Sequence, residues 1–494
     1  MKNLSEKGNY SLSSLVFVSF FTVSGGSYGS EVVLPVIGVR NFTYIQILIC
    51  ILYAIPLILT YDLMRNSFPG NSGPKDWCRE ILGPFSGHFV DILYMFMEIG
   101  MLSSFVGIAS AYINSFLGSM KNGLLSQGSQ IIISLTVFAL IIAISLSLSQ
   151  FKDYTKIMFI IVIFPLLILV TFTFTKIPIN SWSHIDKLEP DKVNWIIGLQ
   201  YVMWLNCGYE HLFSRNSNNE GRIVNDNIRL KLPLILNVIL VSFIYIIPLW
   251  CGCCILNHFN KDNHSFELGN FFTLSGFLVG GNLLSSLITI SACISSIGCT
   301  TFDVSSVSQF IINKWLKTYN LQHRNMYFSQ ETLISLGVVI FCSILTLFVD
   351  QQHFAAGAST LYGFITLIVI VAFLKFIWAL DIKDEYLYVK SESHLPLTQR
   401  KIQIINQDTC YKPYTQTFID SLYFGNISLK FKQILHTIII IPTILFVSVI
   451  FFTSSSLLYI IFILASFLVA FISFVSDESN DLNYINSVKT NRLK

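Results

Sequence analysis

Apolar residues in this chain come in long unbroken stretches rather than in the short alternations of a soluble fold. Most stretches run to about 20 residues, which is what an α-helix needs to cross a bilayer and about twice what a barrel strand uses. These windows predict about twelve membrane spans, at 12–38, 43–63, 85–118, 129–148, 154–175, 193–213, 232–255, 272–312, 332–350, 354–380, 433–453 and 455–475. The third and eighth are longer than a bilayer requires, so they are expected to tilt or to continue outside it.

Two spans are interrupted by residues that a plain anchor has no reason to hold. The first carries Ser24-Gly25-Gly26-Ser27-Tyr28-Gly29-Ser30-Glu31, and the sixth carries Trp204-Leu205-Asn206-Cys207-Gly208-Tyr209-Glu210-His211. Glycine is a poor helix former, and a carboxylate at membrane depth is expensive. A helix broken near the midplane, with its freed backbone groups turned toward a ligand, accounts for both. The two interrupted spans hold equivalent positions in two five-span halves, the sequence-level sign of an inverted-repeat transporter and of its substrate site.

The polar segments order the rest. Residues 1–11 form a polar N-terminus, 12–175 the first five-span repeat, and 193–380 the second. The only long polar insertion, 381–432, separates ten spans from a final pair at 433–475, and 476–494 is a polar tail. With the N-terminus placed in the cytosol, 25 of the 31 basic residues fall on the cytosolic side and 6 on the other. That asymmetry predicts both termini inside. No cleavable leader is evident in Met1 to Tyr10.

Composition agrees with the pattern. The chain is 53% hydrophobic but only 12% charged, against about 25% charged for a soluble domain, so it reads as a polytopic, all-α membrane protein. A net charge of +3 implies neither a nucleic-acid nor an acidic partner. The ten cysteines lie mostly inside apolar segments, where a thiol packs as a small hydrophobe. Cys251, Cys253 and Cys254 cluster with only His258 close by, which favours packing, or at most one disulfide, over metal.

The breaks suggest a chemistry. A half-helix starting near Gly26 to Gly29 would aim free N–H groups and its positive dipole end at the gap, favouring an anion. Half-helices ending at the breaks would leave carbonyls suited to an ammonium group, and an amino acid carries both groups. Gly25, Gly26, Ser27, Gly29, Asn206 and Gly208 are the candidate backbone and amide contacts, with Glu31 and Glu210 as ammonium ligands. Tyr28, Trp204 and Tyr209 offer aromatic faces as gates. A competing reading is that these glycines only allow close helix packing; it does not explain Glu31 beside them.

Three carboxylates, Glu31, Glu98 and Glu210, lie deep within spans, and His211 is the only basic neighbour at that depth. Each must pair, take a proton or bind a cation, which makes all three candidates for proton coupling; the bland alternative is a neutral acid bonded to a helix carbonyl. Asp91 and Asp303 read as gate or loop-pairing residues nearer the cytosolic ends. No metal-spaced cluster marks a cytosolic face and His211 looks isolated, which argues against an enzyme. A solute sensor on a transporter fold would need a signalling module, and 381–432 is short for one.

Several of these residues, taken in order, resemble the amino acid–polyamine–organocation permeases, and within them the plant- and protozoan-type polyamine and amino-acid permeases. Val23-Ser24-Gly25-Gly26-Ser27-Tyr28-Gly29-Ser30-Glu31 is similar to the first-helix pattern VSGGPFGxE, with Ser27 in place of proline. Phe68 to Pro74, Trp77, Leu82 to Phe85 and Gly87 resemble the loop FPxNGG…W…LGPFxG. Trp204 with Tyr209-Glu210 fits the sixth helix. Gly280-Gly281, Ser295, Gly298, Asp303 and Ser305 fit the eighth, and Tyr362 with Ala372-Phe373 the tenth. The resemblance covers about residues 13 to 380. It implies a LeuT-type five-plus-five inverted repeat followed by two helices, and a substrate site among helices one, three, six, eight and ten. It also implies Tyr362 as a further gate residue and, commonly, proton symport or exchange.

Two departures redraw the site: Val369 stands where the plant polyamine permeases have a glutamate, and Glu98 is outside their third-helix pattern. The turn before Glu220-Gly221 and Pro233 is also longer. The expectation is a secondary active transporter in the plasma membrane, monomeric or weakly oligomeric. It would need no cofactor and be driven by H⁺ rather than Na⁺, carrying a small cationic or zwitterionic amine, an amino acid or a polyamine.

Overall fold

The computed structural model describes residues 12–68, 73–121, 154–178, 180–183, 192–214, 230–259, 267–312, 330–349, 351–379 and 429–453, with three single residues besides. The predicted span 129–148, all of 455–475 but residues 463 and 467, most of the 381–432 insertion and both polar ends lie outside them. The helices are α1 (Leu12–Val23), α2 (Leu34–Ile49), α3 (Ile55–Ser67), α4 (Pro74–Leu82), α5 (Pro84–Lys121), α6 (Tyr154–Lys176), α7 (Trp195–Trp204), α8 (Lys231–His258), α9 (Asn270–Ile311), α10 (Gln330–Leu345), α11 (Gln351–Ala379) and α12 (Leu429–Thr453). Short turns of helix at Ser30–Val33, Asn180–Ser183 and His211–Ser214 complete the set, and no strand occurs among the described residues. The chain is an all-α membrane protein. Six described helical stretches are long and apolar enough to cross a bilayer, and three shorter apolar helices accompany them.

The outward faces agree with that reading. Ile157, Ile160, Phe164 and Leu167 of α6 and Ile239, Phe243 and Ile247 of α8 are exposed, so one side of each helix offers apolar side chains to its surroundings. In water such continuous faces would be a liability; in lipid they are the solvated surface.

Two predicted boundaries are corrected. The segment 39–42, expected as a loop between the first two spans, is helical, and the turn is made at Gly38 alone (φ 76°, ψ 165°). A left-handed φ is available to glycine without a Cβ clash, so one residue suffices where a loop was expected. The helix then continues through a π-helical turn at Cys50–Ala54 into α3. The π turn sits just before Pro56, whose ring and missing N–H disturb the regular ladder. Likewise the long eighth span is two helices joined at Gly281 (φ 66°, ψ −164°), not one tilted rod.

The core forms around α5, which packs along both α9 and α11, while α9 also packs on α6. Helix α1 lies against α8 and α9, and α7 lies against α2 and α11. The two interrupted spans are therefore enclosed by the longest helices, and α1 touches the short His211–Ser214 turn directly. Lys75 of α4 pairs with Asp91 of α5 at 3.5 Å, a tie between two helices.

Candidate binding site at the paired helix breaks

The first break is built by its glycines. Gly25, Gly26 and Gly29 all have positive φ (69°, 122° and 92°), so α1 ends at Val23 and a short 3-10 turn starts at Ser30. Ser24 and Gly25 both donate their N–H groups to Phe20 O, closing the end of α1. Gly25 admits close neighbours: a Cβ there would stand 2.4 Å from Cys299 Sγ and 2.7 Å from Ser295 Oγ. Ser295 Oγ donates to Gly25 O at 2.6 Å, so α9 satisfies one carbonyl the break releases. Ser27 Oγ donates to Ile244 O of α8.

Glu31 is held from three sides. Its Oε2 accepts from Gly29 N (2.8 Å), and its Oε1 accepts from Tyr112 OH (2.6 Å) on α5 and from Gly269 N (3.1 Å) before α9. The carboxylate thus ties the broken first span to two other elements. Tyr28 packs edge-on against Tyr112 and Phe272, with ring centroids 5.4 and 6.1 Å away. Both oxygens of a wholly buried acid are occupied by protein donors, an arrangement that positions the break. Replacing Glu31 by Gln or Tyr112 by Phe is expected to lower stability by about 1–3 kcal/mol, because each strands a buried partner. Thermal unfolding of the purified protein checks this, and the double variant should lose little more than either single one.

The second break follows a different design. Helix α7 ends at Trp204, and Asn206 exchanges two hydrogen bonds with Gln46 of α2, at 2.9 and 3.1 Å. Asn206 also donates to Val202 O at 2.8 Å, so the amide expected to meet substrate is satisfied within the protein. Tyr245 OH donates to Leu205 O at 3.0 Å. Gly208 (φ 97°) lies against α1: a Cβ there would stand 2.1 Å from Thr22 O. The two breaks meet at that contact. On the other side, Trp204 sits against Gly29, where a Cβ would lie 3.3 Å from its ring.

Beyond Gly208 the charged groups collect. Glu210 Oε2 accepts from Tyr362 OH of α11 at 2.6 Å, while Glu210 Oε1 is buried with no partner. Trp204 Nε1 and Tyr209 OH are likewise buried and unsatisfied. Native interiors leave few such groups, and buried orphaned donors and acceptors are what a polar ligand would complete. His211 is not isolated. Its Nε2 lies 3.5 Å from Glu98 Oε1 of α5, and Glu98, His211 and Asp303 of α9 bring ligand atoms within 4.8 Å of one another. Asp303, read from sequence as a gate or loop-pairing residue, is buried near Glu98. The physical reason is that α9 packs along α5, and which helix stands opposite a residue is not readable from its position within a span.

The sites expected from sequence thus separate. Glu31 is enclosed with Tyr28 and Tyr112, whereas Glu98, Glu210, His211 and Tyr362 gather at the second break. Glu98 and Tyr112 are 14 residues apart on α5, about 21 Å along its axis. Sequence reasoning missed Tyr112 and Gln46, and named Ser295 and Asp303 without the contacts they make here. For two of them a signal existed: Ser295, Cys299 and Asp303 recur every four residues, so one stripe of α9 faces the breaks. The described cysteines are all free thiols, as packing predicts.

Comparison with known proteins supports the resemblance noted from sequence. The chain is 24% identical over 383 residues to a probable polyamine transporter of Arabidopsis thaliana, which covers 73% of this chain and 70% of the relative. It is 25% identical over 313 residues to the polyamine transporter RMV1 of the same plant, covering 60% and 58%. It is 23% identical over 377 residues to the polyamine transporter PUT1 of Oryza sativa subsp. japonica, covering 73% and 65%. The chain therefore spans between 58% and 70% of the length of these curated relatives. No family model matches it.

Proposed function

We propose that this chain is a secondary active transporter that moves small amine-bearing solutes, amino acids or polyamines, across a membrane by alternating access. The observation that carries the reading is the buried, unpartnered Oε1 of Glu210, set at a helix break that faces a second break in the first span. A carboxylate in that position, with Tyr362 holding its other oxygen, is ready to accept an ammonium group. The likeness to plant polyamine transporters supports the same chemistry.

In this reading the helices form two five-helix halves, 12–175 and 193–380, as a LeuT-type inverted repeat, followed by two further helices, with about twelve spans in all. Both termini face the cytosol, the protein sits in the plasma membrane as a monomer or weak oligomer, and H⁺ rather than Na⁺ drives uptake. Gly25, Gly26, Ser27, Gly29, Asn206 and Gly208 shape the cavity through their backbone, and Trp204, Tyr209, Tyr28 and Tyr362 close it. Transport proceeds as the bundle holding the two broken spans rocks against the rest. The acids divide the labour: Glu210 meets the ammonium, Glu31 positions the first break, and Glu98 is the proton-coupling candidate.

Vesicles containing the purified protein test this. Labelled spermidine or arginine should accumulate under an inward proton gradient, and a competition panel of putrescine, spermidine, arginine, leucine and glutamate should rank cations above glutamate. A chain that binds these solutes but never accumulates them would be a sensor, and the transport reading would fall.

A further inference from the structure

The mechanism above uses Glu210 but leaves unexplained why a second pair of acids, from two other helices, is buried beside it. One carboxyl oxygen of Glu98 (α5), one of Asp303 (α9) and a ring nitrogen of His211 lie within 4.8 Å of one another. Glu98 Oε2 and Asp303 Oδ2 are buried without a hydrogen-bond partner, and both residues are more than nine-tenths buried. Two carboxylate oxygens brought this close in a dry interior repel unless a proton or another cation lies between them. Among the described residues no lysine or arginine forms an ion pair with Glu98, Asp303 or Glu210. The only basic side chain paired with the cluster among the described residues is His211, at 3.5 Å from Glu98 Oε1.

From this geometry we infer that Glu98 and Asp303 share a single proton, and that this pair, rather than Glu210 or Glu31, is the coupling-proton site, with His211 as its exchange partner. The inference rests on the transporter reading for its purpose, though not for its chemistry. Glu31 is unsuited to the role because protein donors occupy both its oxygens. Glu210 keeps one oxygen for Tyr362 and one for the solute. The shared proton lies between Glu98 and Asp303, and His211 Nε2 stands 3.5 Å from Glu98 Oε1. A proton can therefore leave the pair to a neutral imidazole, converting it to imidazolium as the pair becomes dianionic, and return by the reverse step.

His211 directly follows Glu210 in the chain, so movement of the second break shifts the ammonium ligand and the proton acceptor together. Among the described residues Glu210 of the sixth span acts on both acids, while Tyr94 of α5, Cys299 of α9 and Cys342 of α10 lie near enough to feel the charge of one of them. The phenol and thiols are neutral below about pH 8, so the charge balance rests on the three acids and the imidazole.

The purified protein itself provides the first test. Infrared spectra at neutral pH should show the carbonyl stretch of a protonated carboxyl that disappears in both Glu98→Gln and Asp303→Asn and shifts in His211→Gln. Absence of that band from the wild type, or its survival in Asp303→Asn, would overturn the proposal, as would one zinc or manganese ion bound per chain at this cluster. The second test uses vesicles and labelled spermidine. Gradient-driven accumulation should fall at least about tenfold in Glu98→Gln and Asp303→Asn and lose its pH dependence, while equilibrium spermidine binding changes less than about threefold. Glu98→Asp, which keeps an ionisable partner, should recover part of the pH dependence and so separates lost coupling from misfolding. Retained coupling in Asp303→Asn, or loss of binding as complete as in Glu210→Gln, sinks the assignment. If the wild type neither binds nor accumulates spermidine, the transporter reading fails by itself, and the infrared result still decides where the proton sits.

Discussion

Glu210→Gln is expected to abolish measurable uptake of cationic solutes while leaving the protein folded. The amide retains an oxygen for Tyr362 OH and nearly the same volume, so packing around the second break survives. What disappears is the negative charge at a site where the ammonium has given up water. Losing one partner of a buried, hydrogen-bonded charge pair costs about 2–5 kcal/mol, which is more than about thirtyfold in affinity or transport rate. Tyr362→Phe should act in the same direction but less, about 1–3 kcal/mol, because it removes only the donor that orients the carboxylate. Uptake and equilibrium binding of labelled spermidine and arginine, read beside the thermal midpoint, check both. If Glu210→Gln transports spermidine at the wild-type rate, the ammonium binds elsewhere and the central assignment is wrong.

Gly208→Ala should fail differently, at the level of the fold. Its φ of 97° lies where an L side chain is strained by about 1–3 kcal/mol. The added Cβ would also stand 2.1 Å from the backbone oxygen of Thr22, so the two broken spans would have to separate by about an ångström, with a further overpacking cost of about 1–3 kcal/mol. Together these consume much of the stability of a typical domain. Gly281→Ala separates the two causes: it also has positive φ, but nothing lies within 4 Å of the added carbon. Its thermal midpoint should drop by the strain alone, and Gly208→Ala should drop by clearly more and give less monodisperse protein. Equal losses would mean that the close approach of the breaks contributes nothing.

Much of this architecture was legible before any coordinates. The bilayer sets a length of about 20 apolar residues, so long hydrophobic windows translate directly into helices, as at 154–175 for α6 or 232–255 for α8. Both breaks were legible for a related reason: glycine and buried charge are costly in a span, so their clustering marks where the helix yields. The two misplaced boundaries have one common cause. At Gly38 and Gly281 a single left-handed glycine turns the chain, and the apolar pattern runs through it unchanged.

Side-chain roles were less accessible. Glu31, Glu98 and Glu210 were equivalent in the sequence, three acids in three apolar spans. Their partners come from residues far away along the chain: Tyr112 and Gly269 for Glu31, Tyr362 for Glu210, Asp303 and His211 for Glu98. Covalent order fixes how deep a residue sits and on which face of its helix, because rise and period are constants of the α-helix. Which helix stands opposite is decided by packing, since dispersion and shape act only once the spans are side by side. The sequence by itself therefore determined a membrane-embedded helical protein with two paired breaks. Only the tertiary structure decided that one buried acid is locked in protein hydrogen bonds, one keeps a free oxygen, and one faces a second acid.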